Sequence, residues 1–366
     1  MMKRLLLALL FPFALLGQIT PQSNWLNVKN YGAKATLGID DTPAITAAIA
    51  AALARPQYRG ETVVYFPSAG YYDIRTPLVL PQSNKRITLY FDSPLYIEAT
   101  VTIHSGYTLR GTESSNGAFN PSGGTQLNVG HNVNPAIHIQ ATGLTLENIG
   151  VGYVHDQSDG IVIDGSSSSI KLKNVGVQTD SSNKKGIPLK IIGGFGYDID
   201  GGGYVSSGAP AIQFNDDTKN CVSTGMVHIH NIFLGGNAIQ LHNHCGATNS
   251  IAIDGALYEN SAHPFLTAIV DGGSPIMGVE LRNVHMADSW TNPMPPLVDV
   301  HAQGTPGIKN MTIMNSSTDG PALTTGDPIW GLEVWSSRDW GPGIIAQKDH
   351  FIYHGPSGIK DTMPRL

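Results

Sequence analysis

Charge is scarce in this chain: Asp, Glu, Lys and Arg make up 14% of its 366 residues, well under the usual quarter. The net charge of −6 is spread thinly, so there is no basic footprint for nucleic acid. Long apolar runs are missing after the first residues, which leaves no candidate membrane span there. Extended i, i+3, i+4 apolar stripes are also missing beyond residue 54, which argues against a helical repeat. Cysteine is limited to Cys221 and Cys245. They either pair, as an oxidising compartment allows, or remain two inert buried thiols. What the chain does have is 42 glycines and 23 prolines. With so few charges, that composition suits an all-β protein with many turns rather than disorder.

The first residues read as an export signal, residues 1–17. Met1-Met2-Lys3-Arg4 gives the positive start, Leu5 to Leu16 the apolar stretch, and Gly17 a small residue for cleavage. The apolar stretch is short for a membrane span. No cysteine follows it, so it is not a lipoprotein signal. A secreted or periplasmic protein is expected, with no membrane span once the signal is removed.

One pattern recurs: apolar, any, apolar, any, Asn or Gly. Its fifth positions are Asn148, Asn174, Gly201, Asn231, Gly255, Asn283 and Asn315, with steps of 26, 27, 30, 24, 28 and 32 residues. A second short alternating strand precedes most copies, as in AIHI from Ala136, GIVI from Gly160 and AIQL from Ala238. Such steps suit one coil of a solenoid. Equivalent strands then stack in parallel about 4.8 Å apart, with alternate side chains inside and outside. Asn at a fixed corner tolerates a left-handed bend, and its amide can bond to its copies above and below. A solenoid needs its end covered. DDTPAITAAIAAALA from Asp40 supplies a helix for this, with Asp41 or Thr42 as N-cap, Pro43 in its first turn and Ile45, Ile49 and Leu53 as its stripe. The expected organisation is a cap with first coils over 24–110, coils over 111–335 and a C-terminal cap or tail over 336–366. Toward the C-terminus Trp330, Trp335, Trp340, Phe351 and Tyr353 are read as covering the open end.

The run NVKNYGAKATLGIDDTPAITAAIAAAL, followed by ETVVYFPSAGYYDI, resembles the N-terminal cap of the pectate-lyase-like superfamily. The elements that carry the resemblance are V-x-x-Y-G-A, D-D-T-x-A-I and V-Y-F-P followed by G-x-Y. The resemblance implies a single-stranded right-handed parallel β-helix with an N-terminal capping α-helix. The superfamily contains polygalacturonases, rhamnogalacturonases, several polysaccharide lyases, exo-glucanases and phage tailspikes. In polygalacturonan hydrolases the pattern runs N-T-D, D-D, G-H-G, R-I-K. Gln157-Ser158-Asp159 is similar to the first element, and Asn215-Asp216-Asp217 carries the letters of the second but follows its strand; G-H-G and R-I-K do not occur.

Members of the superfamily usually work over the first-strand sheet and the turns beside it. Alternation points His138, Gln140, Val162, Asp164, Lys190, Gln213, Asn215, Gln240, His242, Asp299 and His301 outward there, in two ladders. Among them His138, Gln213, Gln240, His242, Asp299 and His301 are the expected substrate contacts, unless the strip is only a solvated sheet face. Asp156 and Asp159 fall in the turn entering that sheet and Asp164 at its far end. Two such carboxylates can serve as acid and base; the alternative is that they are local turn residues. Lys190 is a proton abstractor for a lyase only if its pKa is depressed. Asp216 and Asp217 suit Ca²⁺ for a lyase, or form an exposed loop. His228-x-His230 and His242-x-His244 have metal-ligand spacing, but the repeat puts the two pairs in different sheets, so no metal is expected from them. Lys171 and Lys173 beside Asp198 and Asp200, themselves beside His228 and His230, read as cross-strand charge pairing. No cofactor is expected, apart from Ca²⁺ for a lyase. The resemblance thus implies an exported enzyme cleaving a pectin-like or other acidic polysaccharide, with hydrolysis slightly favoured over β-elimination. The alternatives are a non-catalytic glycan-binding protein on the same scaffold and, with no residues to mark it, a uronate epimerase.

Overall fold

The computed structural model describes residues 24–56, 61–112, 125–215, 221–259, 262–287, 295–302, 307–318, 323–325, 329–335 and 351–354. The chain forms a right-handed parallel β-helix with one short helix. Each coil passes through three sheets. The first runs from Leu78–Leu80 through Val101–His104, Ile137–Gln140, Ile161–Ile163 and Leu189–Ile192 to Leu266–Val270 and Val298–Ala302. In the second, Thr145, Lys171, Asp198, His228, Ala252, Glu280 and Thr312 share one register. The third aligns Val151, Val177, Tyr204, Leu234, Tyr258, Met286 and Thr318. Strand Phe351–His354 pairs in parallel with Ile329–Trp335, adding a rung beyond the coils expected to end at 335. Residues 1–17 and Trp340 lie outside the described residues.

Alternation builds the core. Leu146, Leu172, Ile199, Ile229, Ile253, Leu281 and Ile313 occupy one register of the second sheet and are all buried, forming an aliphatic column down the axis. Each such side chain contributes about 1.5–3 kcal/mol by leaving water.

The corner between the second and third sheets takes one residue at Asn148 and Asn174 and two in the later coils, as at Gly201-Gly202. Asn148, Asn174, Gly201, Asn231, Gly255, Asn283 and Asn315 all have positive φ, between 49° and 70°. The expected amide ladder is corrected in its extent. Asn174 Nδ2 donates to Asn148 Oδ1 at 3.0 Å, where two asparagines are adjacent. Where glycine interrupts the column, Asn231 and Asn283 donate instead to Asp200 and Asp254, each the residue immediately before that glycine. Asn174→Ala is expected to lower stability by about 1–2 kcal/mol, because alanine keeps the Cβ that makes this conformation costly and loses the amide that offsets it. Asn174→Gly also loses the amide bond but has no Cβ to strain the bend, so chemical denaturation is expected to show a smaller loss for glycine than for alanine.

A second column of positive φ stands at the start of the second sheet: Ser169, Gly196, Met226, Ser250, Gly278 and Asn310. The ladder skips all six, pairing the residues on either side. Both edges of this sheet are therefore turned by the backbone.

The helix Thr42–Ala54 buries Thr42, Ile45, Ala48, Ile49 and Ala52 against the first coil, with Leu53 partly buried. Asp41 is the N-cap residue but makes no capping bond. Asp40 Oδ1 takes the Thr42 N–H at 3.0 Å, while Asp41 accepts the Lys34 and Ala35 N–H groups at 2.6 and 3.1 Å. Lys85 Nζ donates to the Arg55 carbonyl at 2.7 Å and so closes the other end. The two cysteines form a disulfide, so the alternative of two free thiols is set aside. On the outer face of the second sheet, Glu147 pairs with Arg110 and Lys173 at 2.8 and 3.4 Å, and His230 lies 3.0 Å from Asp198, diagonal to the Asp200 directly beside it.

Candidate functional site: the outward face of the first sheet

The registers of the first sheet generate two outward ladders. One carries Thr102, His138, Val162, Lys190, Gln213, Gln240, Thr267 and Asp299. The other carries Ile192, His242, Ile269 and His301, with Gln140 and Asp164 on the coils before; Asn215 holds the register position between Ile192 and His242. At 4.8 Å per rung, His138 and Asp299 stand about 29 Å apart along the axis. Val162 occupies its outward place but is only 8% exposed, so neighbouring side chains cover it. Asp216 and Asp217 lie outside the described residues.

Neighbouring rungs touch. Asp159 Oδ1 accepts the Ile187 N–H at 2.9 Å, and its Oδ2 lies 3.5 Å from Lys190 Nζ. Both side chains are largely shielded from solvent. Asp164 accepts from the Gln140 amide at 3.2 Å and the Ser166 N–H at 3.0 Å, with His138 Nε2 at 3.6 Å. Gln213 donates to Gln240 at 2.5 Å, His301 lies 2.9 Å from Asp299, and His242 lies 3.0 Å from Asp271.

The carboxylates expected as a pair are not brought together. Asp159 and Asp164 bracket the extended strand Ile161–Ile163. Five extended steps put their Cα atoms about 16 Å apart, and the side chains lean to opposite coils, Asp164 to Gln140 and Asp159 to Ile187, whereas the carboxyl groups of an acid and base on a glycosidic bond stand roughly 5–9.5 Å apart. Asp156 turns toward the preceding coil, where it accepts the Asn132 N–H at 3.0 Å and meets His131 Nδ1 at 2.8 Å. Asp159 turns toward the following coil, as its bond from Ile187 shows.

Electrostatics separate the roles further. The Asn132 N–H and the His131 ring hold the Asp156 carboxyl below its ordinary range. Burial pushes Asp164 upward, but bonds from Ser166 and Gln140 together with the His138 charge outweigh it and leave the pKa lowered. Both groups thus favour the ionised form, the opposite of a proton donor's requirement.

Residues 25–256, more than half of the chain, match the profile described as Rhamnogalacturonase A/epimerase, pectate lyase-like. The chain belongs to that family. No curated protein matches the sequence. Among solved structures, the Agl-KA catalytic domain superposes with a TM-score of 0.50 at 12% identity, over 92% of this chain and 69% of that one. The catalytic unit of the GH87 alpha-1,3-glucanase from Streptomyces thermodiastaticus strain HF3-3 gives 0.49 at 14%, over 92% and 69%. The endo-xylogalacturonan hydrolase from Aspergillus tubingensis gives 0.47 at 14%, over 89% and 92%. At 12% identity, the likeness to Agl-KA speaks for the fold alone.

This member of the pectate lyase-like family also carries clusters that the sequence reading did not single out. His131 and His155 stack with centroids 4.4 Å apart beside Asp156 and Asp180. Asp271 lies against both His242 and His244. In each case the partners come from adjacent coils, and Asp271 opens a D-G-G-S run that reads as an ordinary turn.

Proposed function

We propose that the protein is an exported enzyme that binds a polysaccharide along the outward face of its first sheet and cleaves it near Asp159 and Lys190. Membership of the family supports action on a polysaccharide. The observation that carries the reading is the pair of outward ladders, about 29 Å of amide, imidazole, hydroxyl and ionic groups at a fixed rung spacing. Such a strip suits a linear chain of sugar hydroxyls. Lys190 adds positive charge for an acidic sugar, the histidines add ring nitrogens for hydrogen bonding, and Asp159 is the oriented, part-buried carboxylate beside Lys190. Hydrolysis is the favoured reaction, since Asp159 occupies the place of the hydrolase motif. Export rests on the character of residues 1–17.

A second reading, glycan binding without turnover, is favoured by the wide separation of Asp159 and Asp164 and by the lowered pKa of Asp164. Purified protein incubated with a panel of plant and bacterial polysaccharides, followed by mass spectrometry, separates the two. The expected result is new reducing-end oligosaccharides, with 4,5-unsaturated products instead if the reaction is β-elimination. Asp159→Asn is expected to lower that rate on the order of 100-fold. Retention of a glycan with no products makes the protein a binder, and full activity in both Asp159→Asn and Asp164→Asn moves the site elsewhere.

A further inference from the structure

We propose that His242, His244 and Asp271 form a binding site for one divalent transition-metal ion of the zinc class, at the edge of the first sheet between two successive coils. The argument starts from the strand Phe233–Asn243, in which Leu241 and Asn243 are buried and His242 faces outward. His244 follows two residues later on the same side. The two rings come to 4.0 Å between centroids, tilted by 44°. One coil on, Leu266–Val270 pairs His242 with Ile269 and Asn243 with Val270, so the next residue, Asp271, arrives beside His244. Its Oδ2 lies 3.0 Å from His242 Nε2 and its Oδ1 lies 2.7 Å from His244 Nδ1. One donor atom from each of the three residues falls within 4.8 Å of the others.

Two imidazole nitrogens and one carboxylate oxygen are the donor set of a zinc-class ion with an open fourth position. Calcium and magnesium favour oxygen-only shells, so the same atoms select against them. A tetrahedral ion with bonds of about 2.0–2.1 Å holds its ligand atoms about 3.3 Å apart, and the three donor atoms here, all within 4.8 Å of one another, reach that spacing by side-chain rotation once one Asp271 oxygen turns to the ion.

The frame behind the three ligands is stiff. Buried Asn243 donates to the Ser274 carbonyl at 2.9 Å and accepts from Thr248 Oγ1 at 2.5 Å, while its own carbonyl takes the Asp271 N–H at 3.2 Å. A Cβ on Gly272 would stand 2.1 Å from the His244 carbonyl, so the turn carrying Asp271 lies directly on the turn carrying His244. The disulfide fixes Cys245, the neighbour of His244. The ligands themselves remain partly exposed, which gives an ion a path in.

His242-x-His244 lies in a different sheet from His228-x-His230, as the repeat implies, and the two pairs do not combine. The third donor comes from the next coil instead. The site stands independently of polysaccharide cleavage, because its test reads metal rather than product.

The full-length oxidised protein, stripped with a chelator, is titrated with Zn²⁺ and separately with Ca²⁺ by calorimetry. One Zn²⁺ per chain is expected, with Ca²⁺ at least tenfold weaker. His242→Gln and His244→Gln are each expected to weaken Zn²⁺ at least tenfold, while His228→Gln leaves it unchanged. X-ray absorption of the Zn²⁺-loaded wild type gives a readout that no variant's folding can confuse, with two imidazoles in the coordination shell. Less than one equivalent of Zn²⁺, wild-type affinity in either of the two His→Gln variants, or a shell without two imidazoles overturns the proposal and leaves ordinary His–Asp hydrogen bonds.

Discussion

Gly202→Ala is expected to destabilise the protein by roughly 3 kcal/mol or more, against about 1–2 kcal/mol for Gly143→Ala. Both glycines have positive φ, 83° and 73°, so both alanines meet the left-handed penalty of about 1–2 kcal/mol. Their surroundings differ. A Cβ at 202 would stand 1.9 Å from the Val175 carbonyl oxygen and 2.6 Å from its carbon, while a Cβ at 143 meets nothing within 4 Å. Val175 belongs to the coil below, in the strand paired through Val177 with Tyr204. Relieving the clash means prising two coils apart, an overpacking cost of about 1–3 kcal/mol beyond the local strain. Urea unfolding of the two variants side by side reads the difference. Equal losses would show that the Val175 peptide gives way easily and that close stacking at this corner contributes little.

Loss of the Cys221–Cys245 bridge is expected to cost about 3 kcal/mol. The cysteines are 24 residues apart, and closing a loop of that length removes roughly this much freedom from the unfolded chain. Reduction of the wild type and the Cys221→Ser/Cys245→Ser double variant are expected to shift the denaturation midpoint equally, and reductant is expected to leave the double variant unaffected. A shift well below 1 kcal/mol would mean that stacked coils already hold the two residues in place, so that the bridge adds only local rigidity. A bridge of this kind also agrees with an oxidising compartment.

The fold was legible because its period is written in side-chain chemistry. Asn or Gly recurs at one corner, and alternating aliphatic residues flank it; the structure returns that corner as an unbroken column of positive φ. The column at the other edge of the same sheet was not legible. Ser169, Gly196, Met226, Ser250, Gly278 and Asn310 share a backbone conformation and nothing else. The cap helix was anticipated down to its buried Ile45 and Ile49, but its capping bond comes from Asp40, one residue earlier than expected. At the candidate site, alternation gave the ladders, since it follows from the pleat. Distances across rungs were beyond it. Asp159 meets Lys190 from the next coil, and Asp271 reaches back 27 positions to His244. In a solenoid the nearest neighbour of a surface residue is usually a full coil away, and no local motif records it.

The corners described above leave the outward positions of the first sheet with almost no structural duty. Left-handed residues bend the chain and aliphatic columns hold it, so a rung such as Gln213 beside Gln240 can be exchanged for other polar side chains while the cylinder beneath keeps its shape. If the proposed saccharide strip lies there, its specificity is modular: one coil can be edited to suit a neutral or a charged unit, with its neighbours left as they are.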